Sequence, residues 1–167
     1  MGVLQGVRIV EVEGLGPAPF AGMLLSDMGA EVIVVHRKGG KTAPGMPERS
    51  VLDRGKRSIE LDLKDADDKA VFMKLVARAD ALIEGFRPGV MERLGLGPEA
   101  CHAVNPTLVF GRMTGWGQSG PLAHAAGHDL NYIAMSGALW YSSAPQDAPV
   151  SPATLVGDIG GGAMYLV

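Results

Sequence analysis

Two side chains in the last third of the sequence are suited to moving protons. His128 lies in Gly127-His128-Asp129-Leu130-Asn131-Tyr132, where a glycine-rich loop turns into a predicted helix. The positive end of a helix lowers the pKa of an imidazole and favours the neutral form that acts as a base. Asp158 lies in Val156-Gly-Asp-Ile-Gly-Gly-Gly162, at a predicted helix start whose amides could stabilise an oxyanion. Asp158 could be a cap, a base or a nucleophile, and a simple capping role stays open for both segments.

Basic residues follow several predicted strands. Arg37 and Lys38 follow the second strand, Lys64 ends the third, and Arg87 and Arg93 flank a Pro-Gly turn after the fourth. The carboxyl ends of parallel strands meet at one edge of a sheet, so these charges could converge on one anion. Scattered surface charges would look the same in sequence.

The turn Gly14-Leu15-Gly16 follows the first strand and suggests a dinucleotide-binding fingerprint. The third glycine of that pattern is replaced by Pro19, and the basic run His36-Arg37-Lys38 stands where a carboxylate would bind the ribose. A ligand with a ribose phosphate or pyrophosphate is therefore better supported than NAD. An NADP-dependent reductase ranks last among the alternatives.

These residues are positioned by alternating strands and helices. Short β-branched or alternating runs predict strands over 7–12, 31–36, 58–63, 81–84 and 108–110. Helical spacing of apolar residues predicts a helix ending near Gly29, another capped by Asp65, and a short one over about 98–104. This pattern predicts an α/β fold with a Rossmann-like, mostly parallel sheet and helices on both faces.

Composition narrows the class of protein. The chain has 167 residues and a net charge of −3, which suits one domain and argues against a nucleic-acid partner. No apolar run approaches the roughly 18 residues that a membrane span requires. The single cysteine, Cys101, fits a reducing compartment, and we expect a cytoplasmic protein. One cysteine and four scattered histidines predict no metal site.

Five motifs carry a resemblance to a known family. The sequence resembles the acyl-CoA racemases of the family III CoA-transferase superfamily at Gly14-Leu-Gly-Pro-Ala-Pro19, Leu82-Ile-Glu-Gly-Phe-Arg-Pro-Gly89, Glu92-Arg-Leu-Gly-Leu-Gly97, Thr114-Gly-Trp-Gly-Gln-Ser-Gly-Pro121 and Gly127-His-Asp-Leu-Asn-Tyr132. The resemblance implies that residues 1–167 are the N-terminal part of a truncated CoA-binding large domain, without the family's second domain and C-terminal part. It also implies an interlocked homodimer for the full-length protein. Met135, Leu139 and Trp140 should then be exposed.

The same resemblance assigns the ligand contacts to coenzyme A, with no cofactor required beyond the CoA moiety of the substrate. Arg37, Lys64, Arg87 and Arg93 would contact the phosphates. The nucleotide site would be lined by Leu61, Asp62, Leu63, Lys64, Gly85 and Phe86. The remaining CoA-thioester contacts would come from Gly127, Asp129, Leu130, Asn131 and Tyr132.

The implied reaction interconverts (R)- and (S)-2-methylacyl-CoA thioesters. In the racemases the positions of His128 and Asp158 are the catalytic pair: neutral His128 would remove the α-proton from one face, and protonated Asp158 would return one to the other. Two alternatives stay open. One is CoA transfer with Asp158 as nucleophile, and the other is a non-catalytic CoA-binding fragment.

Overall fold

A five-stranded parallel sheet forms the centre of the molecule. The computed structural model describes residues 2–40, 50–152 and 156–167. The strands are β1 (Arg8–Val12), β2 (Glu31–Arg37), β3 (Arg57–Leu61), β4 (Ala81–Glu84) and β5 (Val109–Arg112), in the order β3-β2-β1-β4-β5. Every neighbouring pair is parallel, which confirms the predicted α/β sheet.

The helices begin and end at residues whose types explain their bounds. Pro17 and Pro98 open α1 and α4, where a missing N–H costs nothing. Asp65 caps α2 by accepting N–H bonds from Asp67 and Asp68 at 3.0 Å each. The α-helices used below are α1 (Pro17–Asp27), α2 (Ala66–Val76), α3 (Val90–Arg93), α4 (Pro98–Val104) and α5 (Asp129–Met135).

Residues 156–166 are helical, but most of this segment is not an ordinary α-helix. Residues Val156–Ala163 form a π-helix, which continues into a last turn, Met164–Leu166. Short 3₁₀ turns lie at Val51–Asp53 and Ala138–Ser142. No helix among the described residues has the length and apolar character needed to cross a lipid bilayer.

The core lies on both faces of the sheet. Because successive strand residues point to opposite faces, Val10 and Leu82 pack with Phe72 of α2, while Ile9 and Ile83 pack with Leu25 of α1. The first cluster also takes in Met91, Leu96 and Cys101 from the segments after β4. Helices therefore cover both faces, as predicted.

Two strands end two residues away from the predicted position, and the other strand ends lie within one residue of the prediction. β3 ends at Leu61 rather than Leu63, because the Asp62 side chain accepts the Lys64 N–H at 3.0 Å and turns the chain into α2. Lys64 therefore lies in this turn and not at a strand end. β5 spans Val109–Arg112 rather than 108–110, because its pairing with β4 continues to the Glu84–Arg112 pair.

Two of the three apolar residues expected at the surface are exposed. Met135 and Trp140 are 71% and 58% exposed. Leu139 is half-buried, so the prediction was wrong for that residue.

Candidate active site

A pocket of about 350 Å³ lies at the carboxyl ends of the first four strands. We call it the strand-end pocket. Six predicted CoA contacts, Arg37, Leu61, Asp62, Leu63, Lys64 and Phe86, line it together with Val12, Glu13, Val35, His36, Val90 and Leu94. The parallel topology thus brings residues from distant parts of the chain to one place.

Glu13 organises the basic side of the strand-end pocket. Its Oε2 accepts the backbone N–H of Arg37 at 2.8 Å, and its Oε1 lies 3.2 Å from Nδ1 of His36. The sequence reasoning sought an acidic residue at the end of β2 and missed this one, which reaches there from the end of β1. The exposed Arg37 and Lys64 side chains leave positive charge at the pocket mouth.

A second carboxylate ties the neighbouring loops together. Asp68 Oδ2 accepts the Asp62 N–H at 2.8 Å and lies 3.3 Å from Lys38 Nζ. These contacts lower the pKa of Asp68, the Asp62 backbone bond most strongly. Lys38 is therefore engaged within the chain, whereas Lys64 forms part of the pocket lining.

Three of the residues predicted to contact the phosphates or to line the nucleotide site lie outside the lining of the strand-end pocket. Gly85, Arg87 and Arg93 are exposed, and Val90 and Leu94, one turn apart on the helical segment after Gly89, supply the pocket lining there. The structure does not bring these three residues into the pocket lining. The phosphate contacts of Arg87 and Arg93 and the nucleotide contact of Gly85 stay predictions.

A second group of predicted site residues surrounds Asp158 where α5 meets the π-helix. Asp129 is 3% exposed, and its Oδ2 accepts the N–H groups of Gly157 at 2.7 Å and Asp158 at 2.8 Å. The Asp129 carboxylate thus caps the π-helix, a role not foreseen from the sequence, and its contact with CoA stays a prediction. The Asp129 carboxylate also accepts the hydrogen bond of the Asp158 backbone N–H. From the sequence, this N–H group was expected to stabilise an oxyanion, but it is not free to do so.

The environment of Asp158 favours its protonated form. Partial burial raises the pKa of the Asp158 carboxyl, the negative charge of Asp129 raises it further, and a positive charge on His128 lowers it. His128 is exposed and precedes α5, where its backbone N–H donates to Asn131 Oδ1 at 2.9 Å. The fold therefore places an accessible imidazole within electrostatic reach of a carboxyl that retains its proton more readily than an ordinary aspartate.

Gly16 is a site residue that the sequence reasoning missed. It has φ +69° and ψ −116°, a conformation that side chains disfavour. A Cβ on Gly16 would lie 3.4 Å from Asp158 Oδ2. The glycine-rich turn after β1, interpreted from sequence as a possible nucleotide loop, therefore contacts the candidate catalytic carboxyl. A glycine directly before a helix-opening proline was the available signal.

Aromatic rings form one side of this second group. Trp116 and Tyr132 pack edge to face with ring centroids 5.1 Å apart. A Cβ on Gly127 would lie 2.7 Å from both Trp116 Nε1 and Tyr132 Cε1. The absence of a side chain at Gly127 therefore lets the 114–121 motif, through Trp116, pack closely against the 127–132 motif. Burial raises the pKa of Tyr132, and the charges of Asp158 and Asp129 raise it further. Leu130 and Asn131 are exposed on the same helix.

Nucleophilic cysteine chemistry and metal binding are less well supported by the described residues than proton transfer. Cys101 is buried, and burial raises the pKa of its thiol to about 11, so it is a poor nucleophile. Within residues 2–40, 50–152 and 156–167, no three His, Cys, Asp or Glu side chains cluster as metal ligands would.

The fold and the glycine-rich motifs around both groups define an α/β protein with a candidate ligand site at the carboxyl ends of its parallel strands. The chain matches the sequence model of CoA-transferase family III over residues 4–167. It belongs to that family. This confirms the resemblance seen in its motifs.

Individual relatives come from both branches of the family. The chain is 48% identical to α-methylacyl-CoA racemase of Mus musculus over 97% of its length and 41% of the relative's. It is 36% identical to acetyl-CoA:oxalate CoA-transferase of Acetobacter aceti over 96% of its length and 44% of the relative's. A crystal structure of a CaiB/BaiF family protein from Brucella suis superposes with a TM-score of 0.89 at 31% identity, covering 99% of this chain and 48% of that one. The chain thus spans less than half the length of these relatives.

Proposed function

We propose that this protein is a racemase that interconverts (R)- and (S)-2-methylacyl-CoA thioesters. The observation that carries the proposal is an exposed imidazole, His128, within electrostatic reach of the Asp158 carboxyl, whose pKa is raised. The higher identity to the mouse racemase than to the Acetobacter transferase supports the same choice. The strand-end pocket would bind the nucleotide end of coenzyme A, and a homodimer is the proposed assembly of the full-length protein.

The proposed mechanism needs two proton carriers of different type. Neutral His128 removes the proton from the α-carbon, and the electron pair moves onto the thioester oxygen as an enolate. Protonated Asp158 then donates its proton to the opposite face of the same carbon and becomes a carboxylate. The product is the other epimer, and the reverse direction exchanges the two roles. Each acid–base step contributes about 10²–10⁴-fold to the rate.

The raised pKa of Asp158 suits the role of proton donor. A carboxyl that retains its proton can deliver it to a carbanion, whereas a nucleophile must be ionised. The Asp129 charge, which caps the π-helix, also disfavours a second negative charge on Asp158. These contacts favour proton transfer.

CoA transfer is the second candidate, and the Acetobacter relative is the observation that favours it. In that reaction the Asp158 carboxylate would attack the thioester carbonyl and release CoA as a thiolate. The acyl group would remain on Asp158 as a mixed anhydride, and the CoA thiolate would attack the Asp158 carbonyl, which releases the donor acid and leaves CoA on Asp158 as a thioester. The acceptor carboxylate would displace CoA from this thioester to form a second mixed anhydride. Attack of the CoA thiolate on the acceptor carbonyl would then give the new acyl-CoA and free the Asp158 carboxylate. His128 would have no required part in this exchange.

Solvent deuterium distinguishes the two reactions. We expect this chain, incubated with (S)-2-methylacyl-CoA in D₂O, to raise the substrate mass by one unit and to form the (R) epimer. His128→Ala and Asp158→Ala should each abolish formation of the (R) epimer and keep CoA binding. His124→Ala, which changes an exposed loop histidine, is the matched control.

The contrary outcomes are specific. Epimerisation retained in either variant would exclude the two-base mechanism. An acyl adduct trapped on Asp158 by hydroxylamine would identify the transferase reaction. CoA binding without any deuterium exchange would identify a non-catalytic CoA-binding fragment.

A further inference from the structure

A buried carboxylate lies beside the strand-end pocket and has no part in the proposed proton transfer. Glu84, at the end of β4, is 1% exposed. Its Oε2 accepts the Phe86 N–H at 2.7 Å, and its Oε1 accepts from Arg112 Nε at 3.0 Å. Glu84 therefore fixes the backbone of the loop from which Phe86 enters the pocket.

Arg112 extends the contact to the next helix. Its two terminal nitrogens donate to the Glu92 carboxylate at 2.8 and 3.1 Å, in the bidentate geometry that orients both groups. Glu92 belongs to α3, which begins at the pocket residue Val90 and ends next to Leu94. We call Glu84, Arg112 and Glu92 the Glu84 network. None of its members lines the pocket.

A buried ion pair is a costly way to stabilise a fold. An apolar side chain of similar volume in place of Glu84 would avoid the desolvation of its charge. The Glu84 network does what an apolar contact cannot do, because it fixes a backbone N–H and a neighbouring helix in defined orientations. The loop it holds contains Gly85 and Gly89, and glycine increases the conformational freedom that ligand binding must otherwise remove.

We propose that the Glu84 network is a positioning device that pre-orders the apolar wall of the strand-end pocket, formed by Phe86, Val90 and Leu94, for coenzyme A. The inference rests on the proposed use of this pocket for coenzyme A. Glu84 acts through Phe86, and Glu92 acts through α3.

The test combines amide exchange with calorimetric titration of free coenzyme A into this chain. In Glu84→Ala we expect the Phe86 amide to lose protection and the Kd for coenzyme A to rise about tenfold, the effect of one lost charge-assisted hydrogen bond. In a Phe86→Ala background the same change should add less than about twofold, because residues that act as a unit are not additive.

Two further variants separate positioning from stability. Val76→Ala removes core volume at a residue that does not line the pocket and should lower stability without changing the Kd for coenzyme A. Glu92→Ala changes an exposed side chain, so it does not threaten the fold, and should raise the Kd about two- to threefold by releasing α3.

Additive effects of Glu84→Ala and Phe86→Ala would overturn the inference. Wild-type affinity in both Glu84→Ala and Glu92→Ala, with Phe86 still protected, would overturn it as well. Weakened binding in Phe86→Ala without any effect of Glu84→Ala would refute the positioning role and leave the proposed function standing. If the wild-type chain failed to bind coenzyme A, the proposed function would fall, and Phe86 exchange in Glu84→Ala would still decide whether the network orders this wall.

Discussion

Removing the Asp129 carboxylate should release the segment that carries Asp158. In Asp129→Ala the N–H groups of Gly157 and Asp158 lose an acceptor that now lies 2.7 and 2.8 Å away. A hydrogen bond to a charged group contributes roughly 1.5–3 kcal/mol. Both bonds share one oxygen, and water can replace part of the loss. We therefore expect the free energy of opening residues 156–163 to fall by about 2–4 kcal/mol.

Asp129→Asn separates the hydrogen bonds from the charge. An amide oxygen can accept from the same two N–H groups, so the opening free energy should fall by only about 1 kcal/mol. Because the negative charge of Asp129 raises the pKa of Asp158, this variant should also lower that pKa. Asp129→Ala should lower it as well, while adding the structural loss.

Two measurements check these expectations. Native-state amide exchange at Gly157 and Asp158 reports the opening free energy, and carbon-detected NMR titration reports the Asp158 carboxyl. Asp147→Ala, at an exposed aspartate, is the control and should change neither. Unchanged protection of both amides in Asp129→Ala would refute the capping role, and an unchanged Asp158 titration in Asp129→Asn would refute the electrostatic one.

Three further changes test the fold around the site. Gly16→Ala should lower the free energy of unfolding in urea by about 2 kcal/mol because of backbone strain, and should raise the pKa of Asp158 because the new methyl group desolvates the carboxyl. The control is Gly39→Ala, at a glycine with φ +64° in open space, which should leave the pKa of Asp158 unchanged. Burial raises the pKa of Glu11 from 4.5 to about 7 despite its hydrogen bond from Lys56. The stability that Glu11 contributes is therefore present below pH 4.5 and lost as pH rises through 7, which lowers the free energy of unfolding by about 3 kcal/mol. Glu11→Gln should remove this pH dependence when urea unfolding is compared at pH 4.5 and 7.5, and the same pH dependence in variant and wild type would contradict the expectation. Phe72→Ala empties a fully buried position and should cost about 3–5 kcal/mol in urea unfolding, whereas a loss below about 1 kcal/mol would show that the core repacks.

Local sequence signals were sufficient for the elements of the fold. The β-branched runs at 7–12 and 31–36 became β1 and β2, and Asp65 caps α2 as its position suggested. The rule that parallel strand ends converge correctly predicted that Arg37 and Lys64 lie at one pocket, whereas Arg87 and Arg93 lie outside its lining. Phe86 was expected there from the family resemblance. Local signals failed at the end of β3, where the Asp62 carboxylate accepts the Lys64 backbone N–H and decides the boundary.

The roles of the carboxylates depended on contacts between distant segments. The family resemblance assigned Asp129 to ligand binding. Its carboxylate accepts hydrogen bonds from the backbone N–H groups of Gly157 and Asp158, which lie about 30 positions further along the chain. Glu84 was part of a motif without an assigned task, and its contact with Arg112 depends on the register of β4 against β5.

The sequence by itself determined the α/β class, the family and the candidate residues, because hydrophobic periodicity, turn residues and local motifs are encoded in neighbouring positions. Only the tertiary structure decided that Gly16 contacts Asp158, that Asp129 is a buried cap, and that Glu84 holds Phe86. The physical reason is that burial and hydrogen-bond geometry depend on which segments meet across the sheet edge, and chain spacing does not encode those distances.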